Sequence, residues 1–224
     1  MPGLRRVWQA LPLLAVLLVP AFARAAEPNQ PGIFDYYVLV LSWMPAHCRG
    51  ERRIRQGEEC DLDKRRQGFL LHGLWPQYEK GWPENCSTEK RPWVPARVIE
   101  EMRDIMPSRG LVIHEYRTHG TCSGLEPAQY YGVARELYER VRVPAELLGA
   151  GSGKVASLQE IERAFLNANP WLNSEMIAVT CRRANLFDIR VCFGRDLFPQ
   201  ACGANEDQKR LCPLPKITIP PVTP

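Results

Sequence analysis

Apolar residues along this chain follow two different periods, and the switch between them outlines the fold. Residues 33–43 (IFDYYVLVLSW) are nearly continuous in β-branched, aliphatic and aromatic side chains. That pattern predicts a strand buried on both faces, stopped by Pro45. Residues 68–74 predict a second apolar strand, running directly into His72. Residues 176–181 and 187–193 predict two more, the latter with Ile189, Val191 and Phe193 in alternation. Between these strands the period becomes helical. Helices are expected over 96–106, stopped by Pro107 and Gly110, over 112–119, ended at Gly120, and over 127–141. Ser157-Leu-Gln-Glu160 reads as a capping box that opens a further helix closing near Pro170. Residues 46–67 are charged and predict a surface loop, residues 76–95 carry four prolines and predict an irregular excursion, and the Pro-rich tail from Pro213 is expected to be loosely held. Strands at both ends of a helical middle indicate a single α+β domain rather than βαβ units.

The first residues modify the charge balance. Arg5 and Arg6 precede an apolar run at 11–22, and Ala23-Arg24-Ala25 has the small residues that signal peptidase reads. Residues 1–25 are therefore expected to be a signal peptide cleaved near Ala25/Ala26, leaving residues 26–224 as an exported domain without a membrane anchor. The net charge of +4 includes three arginines of that leader and no acid, so the remainder holds 26 basic and 25 acidic residues. Global attraction to polyanions is excluded, and nucleic-acid recognition would have to be local. All eight cysteines lie beyond residue 25, which fits an oxidising compartment, although eight cysteines alone allow 105 pairings.

Three of the four histidines sit in two short segments, Leu70-Leu-His-Gly-Leu-Trp-Pro-Gln77 and His114-Glu-Tyr-Arg-Thr-His-Gly-Thr-Cys122. On a regular helix Glu115 and His119 share a face, so a carboxylate could tune an imidazole. His114 and His119 are five apart rather than the four of His-Glu-x-x-His, which argues against a zinc protease. There is no Gly-x-Ser-x-Gly elbow and no Cys-x-x-Cys pair. A histidine pair framed by Arg117, Trp75, Tyr78 and Trp82 suits acid–base chemistry on a phosphodiester whose nucleophile is its own 2′-hydroxyl, the group that distinguishes RNA from DNA.

Those two segments resemble the active-site segments of the ribonuclease T2 family, in the family's order. The likeness extends to the strand ending Leu41-Ser-Trp43 and to the C-terminal cysteine cluster. The resemblance implies an antiparallel sheet core with several packed helices, and disulfides Cys48–Cys60, Cys86–Cys122, Cys181–Cys212 and Cys192–Cys202. It implies a monomeric endoribonuclease needing no metal or other cofactor, acting on RNA and not DNA. His119 would be the general base, His72 the general acid, Glu115 their aid and His114 a phosphate contact. Trp75 and Gln77 would meet a base, with Tyr78 and Trp82 available for stacking. Many relatives carry lysine immediately before the second histidine. Here Thr118 stands there, and Arg117 is the candidate replacement cation. A catalytically weak RNA-binding module of the same fold is the competing expectation, and would be marked by loss of a catalytic histidine.

Overall fold

A computed structural model describes residues 29–49, 60, 68–89, 91–148 and 153–222. Residues 1–28, with the expected signal peptide, and most of the charged 46–67 stretch lie outside the described residues. The chain begins with β1 (Tyr36–Trp43), α1 (Met44–His47) and β2 (Phe69–Gln77). A helical run follows: α2 (Ala96–Glu101), α3 (Arg109–Glu115), a π turn (Tyr116–Gly120), α4 (Thr121–Ser123), α5 (Pro127–Arg140) and α6 (Ala145–Leu148). The last third holds β3 (Lys154–Ser157), α7 (Leu158–Ala168), β4 (Ile177–Arg182), β5 (Asn185–Gly194), α8 (Gln208–Leu211) and β6 (Lys216–Ile219).

β1 is central and buried along its whole length, as its unbroken apolar run predicts. It pairs antiparallel with β2 on one side and β5 on the other. Alternation then assigns its side chains to two environments. Tyr37, Leu39, Leu41 and Trp43 enter the main core with Val98 and Ile99 of α2, Tyr130 and Leu137 of α5, and Ile161 and Phe165 of α7. Tyr36, Val38 and Val40 face the opposite side, beside Trp75 and Cys202. Trp75, a candidate site residue, lies on that second face. β2 is an edge strand, but its edge is covered: Ile105 O accepts from Leu71 N–H at 3.1 Å, and Tyr130 Oη donates to Leu74 O at 2.7 Å.

The capping box forms as predicted, with Ser157 Oγ accepting from Glu160 N–H at 3.2 Å and Glu160 Oε2 accepting from Ser157 N–H at 2.7 Å. All four expected disulfides are present. Three expectations need correction. β2 runs on to Gln77 instead of ending at Leu74. α2 ends at Glu101, and the following turns bring Ile105 O to the β2 edge. The tail is not loose: Ile217 and Ile219 are buried, β6 pairs antiparallel with β3 and parallel with β5, and Trp43 Nε1 donates to Pro220 O at 3.0 Å. The alternating Ile217 and Ile219 form a strand too short to stand out beside its prolines. No helix among the described residues is long and apolar enough to cross a membrane.

Candidate active site

His72 owes its position to a β-bulge. Val40 pairs with Gly73 and Leu41 with Leu71, so His72 is the extra residue on β2. A bulge re-aims its side chain relative to the regular pleat, and here the imidazole Nδ1 lies 3.1 Å from Ser42 Oγ. Gly73 follows because a carboxylate rests against the strand: a Cβ there would sit 2.1 Å from Glu115 Oε2 and 2.7 Å from Trp75 Nε1.

That carboxylate comes from α3, whose N-cap Ser108 accepts from Leu111 N–H at 3.2 Å. The sequence predicted one regular helix through His119. Instead α3 ends at Glu115, residues Tyr116–Gly120 form a π turn, and helical backbone continues to Ser123. The wider turn moves His119 away from the regular 100° spacing, a deformation that concentrates at functional sites. Carbonyls around it find other donors: Arg117 O accepts from Thr121 Oγ1 at 3.0 Å and Thr118 O from Asn85 N–H at 2.8 Å. With Cys86–Cys122, this binds the irregular excursion after β2 to the His119 segment.

Trp75 is the hub of the assembled site. Its Nε1 donates to Glu115 Oε2 at 2.8 Å, and the second carboxylate oxygen lies 3.6 Å from His72 Nε2. His119 stacks on the indole with centroids 5.0 Å apart and planes at 29°, while His72 meets it edge-on at 5.4 Å. The Arg190 guanidinium carbon lies 5.2 Å from the same ring. Glu115 is only 1% exposed. Burial pushes its carboxyl up to about 8, opposed by the Trp75 hydrogen bond. His119 is 9% exposed. Burial, with His72 and His114 nearby, pushes its imidazole down to about 3. Its buried Nδ1 has no hydrogen-bond partner among the described residues. Burial therefore leaves the His119 imidazole unprotonated at neutral pH, the form from which a general base starts, and the His72–Glu115 pair is suited to hold a proton. Among the described residues, no three His, Cys, Asp or Glu side chains form a metal-binding group.

The remaining predicted residues divide. His114 is exposed on α3, close enough to His119 to affect its charge. Arg117 does not join the histidines in the described contacts. Its Nε donates to Pro92 O at 3.3 Å, and it lines a separate pocket with Asn85, Ser87 and Arg91. Gln77 is 3% exposed, and its amide is engaged by Asn205 and Pro76 O. Tyr78 is half-buried and Trp82 half-exposed, its Nε1 donating to Glu84 Oε1 at 2.7 Å. Sequence reasoning missed Ser42, Asp188, Arg190 and His47. The signal lay in β5, where Asp188 and Arg190 alternate with Ile189 and Val191. A charged pair between apolar neighbours marks a second face, and here that face meets the site instead of water.

The sequence profile of the Ribonuclease T2 family matches residues 34–202. A ribonuclease of Aeromonas hydrophila is 39% identical over 136 residues, which cover 60% of this chain and 60% of that protein. Ribonuclease I of Escherichia coli K12 is 27% identical over 246 residues, covering 90% and 92% of the two chains. Among solved structures, an RNase-related protein from Calystegia sepium superposes with a TM-score of 0.63 at 21% identity, covering 84% of this chain and 97% of that one. With 169 consecutive positions matched and both histidine segments inside them, the chain belongs to the ribonuclease T2 family.

Proposed function

We propose that this protein is an exported endoribonuclease that cleaves single-stranded RNA by transphosphorylation, without a metal. The observation that carries the reading is two imidazoles of different character on one indole, with buried Glu115 reaching both the indole and His72. His119, held neutral by burial, takes the proton of the 2′-hydroxyl. The 2′-oxygen attacks phosphorus, the bond to the 5′-oxygen breaks, and His72 Nε2 gives that oxygen a proton. The product is a 2′,3′-cyclic phosphate. Water then opens the ring with the two histidines exchanging roles, leaving a 3′-phosphate. Glu115 shares a proton with His72, and exposed His114 contacts the phosphate. Trp75 orients both rings, and half-exposed Trp82 offers a surface for a base. Arg117 points to Pro92, which favours His114 over Arg117 as the phosphate contact.

Four disulfides support export to an oxidising compartment. N-terminal sequencing of secreted protein should start near Ala26. The activity is tested by incubating oxidised mature protein with RNA or DNA, with and without EDTA. Cleavage of RNA alone, unaffected by EDTA, is expected. DNA cleavage, or loss of activity in the chelator, would refute the reading.

A further inference from the structure

His72 is wired to a buried carboxylate on the far side of β1. Ser42 Oγ sits between them, 3.1 Å from His72 Nδ1 and 2.6 Å from Asp188 Oδ1. A serine hydroxyl has a single proton, and here it is donated to Asp188. Toward His72 the same oxygen can only accept, so His72 Nδ1 carries a hydrogen and Nε2 is the nitrogen that exchanges protons. Nε2 is also the atom facing Glu115 Oε1. The other oxygen of Asp188 accepts from Thr180 Oγ1 at 3.3 Å, and the Asp188 N–H in turn donates to Thr180 Oγ1 at 2.8 Å. Both carboxylate oxygens therefore accept hydroxyl protons, the pattern of an ionised group. Register explains the alignment, since Ser42 pairs with Asp188 across β1 and β5 while the bulge turns His72 toward Ser42.

We infer that Asp188 and Ser42 are positioning residues for the proton-donating histidine, fixing the tautomer of His72 and supporting its imidazolium through a relay Asp188–Ser42–His72. The inference rests on His72 being the general acid. The other groups facing this system are Glu115 from α3, His47 from α1 at 6.3 Å between ring centroids, His119 from the π turn, and Arg190 beside Asp188 on β5. Burial raises the Asp188 carboxyl, while Ser42, Arg190, His47 and Thr180 oppose that rise. Removing Ser42 thus separates His72 from the negative charge without touching substrate.

The test compares two substrates of Ser42→Ala, Ser42→Thr, Asp188→Asn and His72→Ala. A dinucleoside phosphate has an alkoxide leaving group that needs a proton, whereas uridine 3′-(4-nitrophenyl phosphate) releases a phenolate that does not. Ser42→Ala should lower kcat/KM roughly tenfold on the dinucleoside phosphate and less than about twofold on the aryl ester. The alkaline limb of the dinucleotide profile should move to lower pH, and Ser42→Thr should restore both. Asp188→Asn should repeat the Ser42→Ala pattern. Equal losses on both substrates, or no loss in Ser42→Ala, overturn the relay. If His72→Ala itself loses equally on both substrates, the acid assignment fails and takes the relay with it. If His72→Ala is selective and Ser42→Ala is not, the relay alone fails.

Discussion

At the scale of single residues, the site depends on close approach more than on the number of contacts. Gly73 lets Glu115 lie against β2, and Gly73→Ala would force the carboxylate or the indole aside. Overpacking of this kind costs about 1–3 kcal/mol of stability. A displacement near 1 Å in the positioning of His72 should also lower kcat/KM by roughly a hundredfold. Urea titration and steady-state kinetics on the same variant measure both losses. The phosphate contact gives a second comparison. His114→Ala should cost roughly ten- to a hundredfold in dinucleotide cleavage, as for one charge-assisted hydrogen bond of about 1.5–3 kcal/mol. Arg117→Ala, with its guanidinium directed at Pro92, should stay within about twofold. The reverse order would return the missing lysine's role to Arg117.

At the scale of elements, two devices aim the histidines: a bulge in β2 and a π turn after α3. Neither was legible in the sequence. A bulge depends on register against β1, and a π turn on which carbonyls find partners such as Asn85 N–H, so both are products of tertiary pairing. The strands and helices that carry them were legible because their apolar runs are long: the fully buried β1 and the Tyr130–Leu137 stripe of α5 have no competing pattern. His72, Glu115 and His119 were legible as candidates, and the structure brings all three around Trp75. Ser42 and Asp188 were not, since a serine and an aspartate become partners only when β1 and β5 lie side by side. β6 was misread because its prolines outweighed two isoleucines. Deleting residues 216–224 should therefore destabilise the protein by roughly 3–6 kcal/mol, from burying two isoleucine side chains at about 1.5–3 kcal/mol each. A loss below about 1 kcal/mol in chemical denaturation would restore the loose-tail reading.

At the scale of the whole molecule, the buried site groups shape stability against pH. Burial holds the Glu115 carboxyl up to about 8 against 4.5 in the unfolded chain, and the His119 imidazole down to about 3 against 6.5. Above pH 4.5 the unfolded chain releases the Glu115 proton that the folded chain keeps, so stability falls as pH rises toward 8. Below pH 6.5 the unfolded chain protonates His119 and the folded chain does not, so stability falls as pH drops toward 3. The two slopes cancel between 4.5 and 6.5, predicting a plateau there with a descent on either side. Burial raises the Asp188 and Glu206 carboxyls as well, so each also lowers stability as pH rises above its ordinary carboxylate value. In urea titrations across pH, Glu115→Gln should flatten the alkaline side and His119→Asn the acid side. If neither substitution changes its limb, these residues do not control it.

The central claim is that two histidines move protons while the substrate's own 2′-oxygen attacks phosphorus. The most direct measurement follows a dinucleoside phosphate by phosphorus NMR in the presence of EDTA. The account predicts that a 2′,3′-cyclic phosphate accumulates first and is replaced more slowly by a 3′-phosphate, and that His119→Ala suppresses both signals. A 5′-phosphate, or a 3′-phosphate formed with no cyclic precursor, would contradict it.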